Sequence, residues 1–446
     1  GAPETATATL MARAGAFIGT AKSRLLPVSI PFRFFGAAIA FHLLAWLALL
    51  AGAGRLPRWG GGLGWPLAAL HLLTLGVLVM TAIGASLQLL PVATRQPLRS
   101  TRWPAAIWWL YTPGVAMLAL GMGSGAPLLL GLGTAGVVLA LLAFAVLLAP
   151  NLRGARGMPG VVAHGWAAWV CLLVVLATAL ALVLPYLGLP LIERSSALAL
   201  HITFAAYGFM GLLALGLSGI LVPMFALADA PDQRQSLISC ALAVAALGLA
   251  GLAAFGVAPQ ALRSIAIAAG AVAVALHLRL MFAALRSGMR RELGRSFALV
   301  RVGWAMLALS LAAALALVLG AAPAAAGTLF GLALIVGWLL SFLLGMLQRI
   351  LPFLAAMHAS SGKGRQRPPT PSSLSAERPL AVHFGCHLVA LAGMALAVVA
   401  GSAWVATLAA AVGALGAAAF GAFFVILLHR LRGAMPAAQR GTLPAA

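Results

Sequence analysis

Apolar runs of about twenty residues, parted by short polar loops, recur from one end of the chain to the other. They lie near 34–54, 65–92, 104–121, 127–149, 160–186, 199–228, 236–256, 261–284, 299–319, 326–356, 381–400 and 406–430. A helix rises 1.5 Å per residue, so each run is long enough to cross a hydrocarbon layer roughly 30 Å thick. The third and fourth runs meet at GMGSGAP, residues 121–127, a glycine-rich turn with no charge. The pattern predicts an all-α integral membrane protein of about twelve transmembrane helices.

Composition removes the soluble alternative. Only 8% of the residues are charged, against roughly a quarter in a soluble domain. The chain lacks the polar surface needed to stay dissolved. Its 50 glycines suit helices that pack closely in lipid. The cysteines, Cys171, Cys240 and Cys386, fall inside apolar runs and form no CxxC pair; they read as small buried residues.

Charge sets the orientation. The chain carries 28 Lys and Arg against 6 acidic residues, a formal net charge of +22. These bases sit in short loops and form no nucleic-acid module, so they read as topology signals and contacts to anionic lipid head groups. With the N-terminus in the cytoplasm, 24 of the 28 fall on the cytoplasmic side, leaving Arg55, Arg58, Arg194 and Arg263 outside. The positive-inside rule therefore favours an even helix count with both termini cytoplasmic, in a bacterial-type inner membrane. The densest basic loop is RSGMRRELGRS, 286–296, and the loop SSGKGRQRPPTPSS, 360–373, reads as flexible. The residues before Ile30 lack the order of a signal peptide, and they read as part of a cytoplasmic tail, 1–33. A second tail is expected at 431–446.

Three inward-running spans share a motif. GASLQLLP ends at Pro91, GLSGILVP at Pro223 and GMLQRILP at Pro352. Each has a glycine seven residues before the proline (Gly84, Gly216 and Gly345), and the prolines are 132 and 129 residues apart. Gly165-Trp166 and Gly303-Trp304 mark the fifth and ninth spans more weakly. The spacing predicts three four-helix units, 34–149, 150–298 and 299–430, around a pseudo-threefold axis. Proline frees a carbonyl and favours a bend or an end, while glycine allows close backbone approach.

Histidine is the residue type best able to build a site inside this chain. The spans hold almost no carboxylates, so carboxylate catalysis, a twin-metal cluster and a Ser-His-Asp relay lack their parts. No GxxxxGK or GxGxxG loop stands in a suitable context, and no CxxCH is present. His71 and His201 lie 20 and 22 residues before their repeat prolines, roughly 5–10 Å below the outer surface. An imidazole in the apolar zone needs a partner, and haem iron or copper would be one. His42 lies near mid-membrane, where it is a further cofactor or proton-path candidate. His383 and His387 are four apart and share a helical face, a spacing that grips one metal, although their place near the cytoplasmic helix end also exposes them to water. His164 and His277 lie toward the inner side, while His358 and His429 read as interfacial. Arg349, beside Gln348 and before Pro352, is placed to meet a haem propionate, a lipid phosphate or another anion, or to snorkel. Trp103, Trp108, Trp109, Tyr111 and Trp166 read as interface anchors.

Twelve spans with histidines in the second and sixth resemble the central subunit of the haem–copper oxidase superfamily. IPFRFFGAAIAFHLLAWLALL, the run from Trp65 to Leu98 and, more weakly, HITFAAYGFMG resemble the NnrS-like membrane proteins, a family linked to nitric oxide physiology. These matches cover about a quarter of the chain. The resemblance implies b-type haem, with copper as a second cofactor, held through His71, His201 and His42. It departs in two places. The seventh span has no histidine and the tenth has none before His358, so the oxidase pattern of a copper centre facing a haem cannot be assembled. Only His71, followed by Leu72 and Leu73, stands where NnrS-like proteins carry a His-x-His-Glu cluster.

Three functions compete. The first is a haem- or copper-binding membrane protein, acting in electron transfer, nitric oxide response or oxidase biogenesis beside respiratory or cytochrome subunits. The second is a secondary transporter of a metal or small anion, suggested by repeats with Gly/Pro-interrupted helices. The third is a cofactor-free structural or assembly subunit.

Overall fold

The structure is a computed structural model that describes residues 26–189, 193–323, 325–359 and 369–435. Most of both predicted tails and most of the 360–373 loop lie outside the described residues. Twelve helices are long and apolar enough to span a membrane, and the protein is a multi-pass membrane protein. They are α1 (Ser29–Gly52), α2 (Trp65–Thr94), α3 (Trp103–Ser124), α4 (Pro127–Arg153), α5 (Pro159–Leu187), α6 (Arg194–Ala226), α7 (Gln233–Ala254), α8 (Pro259–Ser287), α9 (Gly294–Val318), α10 (Ala326–Ala359), α11 (Glu377–Ala400) and α12 (Ala403–Ala434). All twelve follow the apolar pattern, with ends shifted by only a few residues.

The three motif helices, α2, α6 and α10, are the most buried of the twelve. Each packs along the helix before it in sequence: α1, α5 or α9. The pairs α3–α4, α7–α8 and α11–α12 pack outside them, and the contacts α4–α5, α8–α9 and α12–α1 close the ring.

Each motif helix carries an eight-residue π-helical stretch, with backbone bonding shifted from i→i+4 to i→i+5. The stretches are Leu72–Val79, Phe204–Gly211 and Ala333–Leu340. Each begins 19 residues before its motif proline, so the distortion recurs in the same register as the Gly–Pro motif. Below it, Pro91 and Pro223 each lie three residues from their helix end, and the residues that follow, Arg95 and Leu227, turn left-handed at φ 56° and 55°. The third copy differs: α10 runs seven residues past Pro352 to Ala359.

The motif glycines admit the neighbouring helix. A Cβ on Gly84 would lie 2.9 Å from Phe34 Cβ of α1, and one on Gly216 would lie 2.7 Å from His164 Cβ of α5. One on Gly345 would meet the Ser296 backbone oxygen of α9 well inside contact distance. A second glycine recurs eight residues earlier, within the π stretch. Gly76 faces Phe41, Gly208 faces Cys171 and Gly337 faces Met306, each at 2.7–2.9 Å from an added Cβ. The partners also step by seven along their helices, Phe34 to Phe41 and His164 to Cys171. These two rungs fix how each inner pair docks.

Freed and exposed backbone groups find partners in two places near the candidate site. The hydroxyl of Tyr111 donates to the Leu75 carbonyl, within the α2 π stretch, at 3.0 Å. Tyr111 is fully buried, which corrects its reading as an interface anchor; Trp103 and Trp109 are exposed as expected. At the start of α6, Glu193 caps the helix by accepting from the Ser195 and Ser196 backbone N–H groups, each at 3.2 Å. Hydrogen bonds from Ser195 first, then Ser196, hold its carboxyl down at about 2.

Candidate functional site

The histidines gather into three sets. His71 immediately precedes the α2 π stretch and His201 lies three residues before that of α6. The two lie within electrostatic reach of each other, and both are partly exposed. His71 Nδ1 lies 3.0 Å from the Leu67 carbonyl oxygen. A carbonyl only accepts, so Nδ1 carries the hydrogen and Nε2 keeps its lone pair. His201 Nδ1 lies 3.3 Å from the Thr178 hydroxyl of α5. That hydroxyl spends its one hydrogen on the carbonyls of Val174 and Val175, at 2.8 and 3.1 Å. It therefore accepts from His201 Nδ1–H, and His201 Nε2 is also left bare. Metal-binding histidines commonly have this arrangement, with one ring nitrogen donated to a carbonyl or hydroxyl and the other free for the metal. Two imidazole nitrogens of this kind are a donor set that would suit haem iron.

The second set is His42 on α1 with His383 and His387 on α11. All three are buried, so a place near the helix end does not leave His383 and His387 in water. Two contacts cover them. His383 Nδ1 donates to the Gly416 carbonyl of α12 at 3.1 Å, and His387 Nε2 lies 2.7 Å from the Ser341 hydroxyl of α10. Cys386 packs its Cβ against Gly416 and is only partly buried. With the Ser341 bond in place, His383 Nε2 is the one ring nitrogen of this pair that is buried without a partner.

The third set is His164 on α5 and His277 on α8. His164 Nδ1 donates to the Gly160 carbonyl at 2.8 Å, and His277 Nε2 meets the Ser218 hydroxyl at 3.1 Å. Both rings are buried and lie within electrostatic reach of each other. Their burial and pairing were not legible in the chain, because Ser218 and His277 are 59 residues apart. Among the described residues, no group of three or more His, Cys, Asp or Glu side chains converges to hold a metal ion.

The other two histidines belong to the protein's edges. His358 ties the end of α10 to the Leu26 carbonyl at 3.0 Å, and His429 is exposed.

Arg349 reaches sideways. Its Nε donates to the Ser296 hydroxyl at 2.7 Å, and its Nη2 donates to the Leu293 carbonyl. The guanidinium thus ties α10 to the start of α9, beside the Gly345 contact. Replacing Arg349 with leucine is expected to cost roughly 2–3 kcal/mol, because charge-assisted hydrogen bonds are lost at a half-buried position. Lysine is expected to recover little, since it lacks the planar fork. Thermal unfolding in detergent checks this. Unchanged stability in both variants would show that the two bonds do not hold the helices together.

No protein-family profile matches this chain, and no curated protein matches it. A solved structure does. A chain from a cryo-EM structure of a haem–copper terminal oxidase dimer aligns with a TM-score of 0.64 and 14% identity, covering 92% of this chain and 84% of that one. The likeness is one of fold: the twelve-helix arrangement is similar to that of the oxidase chain. The finer resemblance to NnrS-like proteins has no counterpart among these comparisons.

Proposed function

We propose that the protein is a b-type haem-binding membrane protein that exchanges electrons within a membrane redox assembly, in which His71 and His201 would hold the haem iron. The observation that carries this reading is the pair of bare Nε2 atoms, each fixed by the hydrogen bond at its Nδ1. The oxidase fold supports it by likeness alone. Haem would supply a one-electron couple. The chain would supply the rest: Thr178 and the Leu67 carbonyl orient the rings, and the apolar helices restrict water. Copper on His383 and His387 has less support, since Ser341 engages one of those rings and no third ligand converges among the described residues. On this reading the protein sits in a bacterial-type inner membrane, with both termini cytoplasmic and a cytochrome or respiratory subunit as its electron partner.

The test is a reduced-minus-oxidised visible spectrum, with iron and copper analysis, on protein purified after growth replete in both metals. About one b-type haem per chain is expected. Protein with neither haem nor copper would reject the redox reading and turn attention to transport or assembly roles.

A further inference from the structure

The set containing His42 holds a second polar site, enclosed between α1, α11 and α12. On α1, the Trp46 indole N–H donates to His42 Nε2 at 3.1 Å. An indole N–H can only donate. His42 Nε2 therefore carries the lone pair, and in the neutral ring Nδ1 carries the hydrogen. Trp46 is held in place by Gly413 of α12, where any Cβ would overlap the indole ring. On α11, His383 Nδ1 donates to the Gly416 carbonyl, which leaves His383 Nε2 as a bare acceptor.

The two rings lie 6.0 Å apart between centroids, at 75° to each other. His42 is 1% exposed and His383 is 0% exposed. His42 Nδ1 and His383 Nε2 are both buried without a partner. One is a donor and the other an acceptor, and each is costly to leave unpaired in an apolar interior. A single small molecule that accepts from one and donates to the other would relieve both.

We propose that this is an internal binding site for one water molecule, which accepts from His42 Nδ1–H and donates to His383 Nε2. Buried water occupies polar sites that give it two to four partners, and these two nitrogens supply the minimum. A metal cation does not suit the site, because Trp46 already uses the lone pair of His42 and a cation would face the Nδ1 hydrogen. The geometry also makes the site a closed end. His387 lies 6.0 Å beyond His383 between ring centroids and reaches Ser341, but on the other side the indole N–H does not pass a proton onward. The site therefore stores a hydrogen-bonded water; it does not conduct protons across the membrane. This inference is independent of whether haem is bound at His71 and His201.

The experiment is solid-state NMR on the full chain in lipid bilayers, with ¹⁵N-labelled histidine. His42 and His383 are assigned by difference against His42→Gln and His383→Gln. The expected result is a protonated Nδ1 and a bare Nε2 on both rings, each with magnetisation transfer from one slowly exchanging water. Absence of water transfer at both rings, a proton on His42 Nε2, or a metal-shifted His383 line would overturn the proposal. Trp46→Phe is expected to release His42 into a mixture of tautomers while leaving His383 unchanged. An unaltered His42 in that variant would overturn the role given to Trp46. If the glutamine variants do not fold, the two rings are assigned in uniformly ¹³C,¹⁵N-labelled wild-type protein from the sequential correlations of Phe41 with His42 and of Val382 with His383, and the same outcomes are read there.

Discussion

Replacing Gly345 with valine is expected to prevent the protein from accumulating in folded form. An added Cβ at this position would collide with the Ser296 backbone oxygen and crowd Val300 and Leu299. A backbone carbonyl on a long packed helix cannot rotate away as a side chain can. Overpacking typically costs 1–3 kcal/mol, and a backbone clash belongs at about 3 kcal/mol or above. That is a large part of the stability of an ordinary domain. The damage would spread, because α9 would move away from the Arg349 bonds made one turn further along α10. Gly331 supplies the control on the same helix. Nothing lies within 4 Å of a Cβ added there, so Gly331→Ala is expected to be neutral or to stabilise by up to about 1 kcal/mol through helix propensity. Detergent-solubilised yield and thermal unfolding compare the two. Equal behaviour would mean that α9 and α10 do not make the close approach described.

On the proposed reading, the second large effect is expected at His71 and His201. His71→Ala and His201→Ala should each lower haem affinity by at least about 100-fold, since the loss of even an outer hydrogen-bonding partner commonly costs 10–100-fold. Thr178→Val, which removes only the group that orients His201, should fall within that smaller range. Both alanine variants should still fold, because neither ring is fully buried, His71 bonds only within its own helix and His201 makes a single bond to α5. Haem titration followed by visible spectroscopy, with unfolding measured on the same samples, separates lost ligation from lost structure. Full haem retention in both alanine variants would remove His71 and His201 as ligands and leave the fold description intact.

Much of the architecture was legible in the chain because the bilayer imposes a simple rule of length and apolarity. The helix count and the Gly84, Gly216 and Gly345 register could be read directly. The second rung, Gly76, Gly208 and Gly337, was hidden among 50 glycines; the eight-residue step within each pair was the signal that could have exposed it. The π stretches left no compositional trace, since a π turn uses the same apolar residues as an α turn. Site partners were legible when they were local. Trp46 lies one turn from His42 on the same helix. Thr178 beside His201, Ser341 beside His387 and Gly416 beside His383 come from other helices, and no periodicity along one strand of sequence reports them. The burial of His383 and His387 was misread for the same reason: position along α11 gives depth, but α10 and α12 decide exposure.

The three π stretches have a consequence for how the halves of each inner helix are aligned. A π turn takes about one more residue than an α turn, and one residue corresponds to about 100° of helical rotation. Each stretch therefore acts as a phase shifter between the end of the helix that bears the histidines in α2 and α6 and the end that bears the Gly–Pro seam. The histidine-bearing half can face one neighbour while the seam faces another, without a break in the helix. Deleting a single residue from Leu72–Val79 would reset that angle, turning His71 away from His201 while Gly84 stayed seated against Phe34.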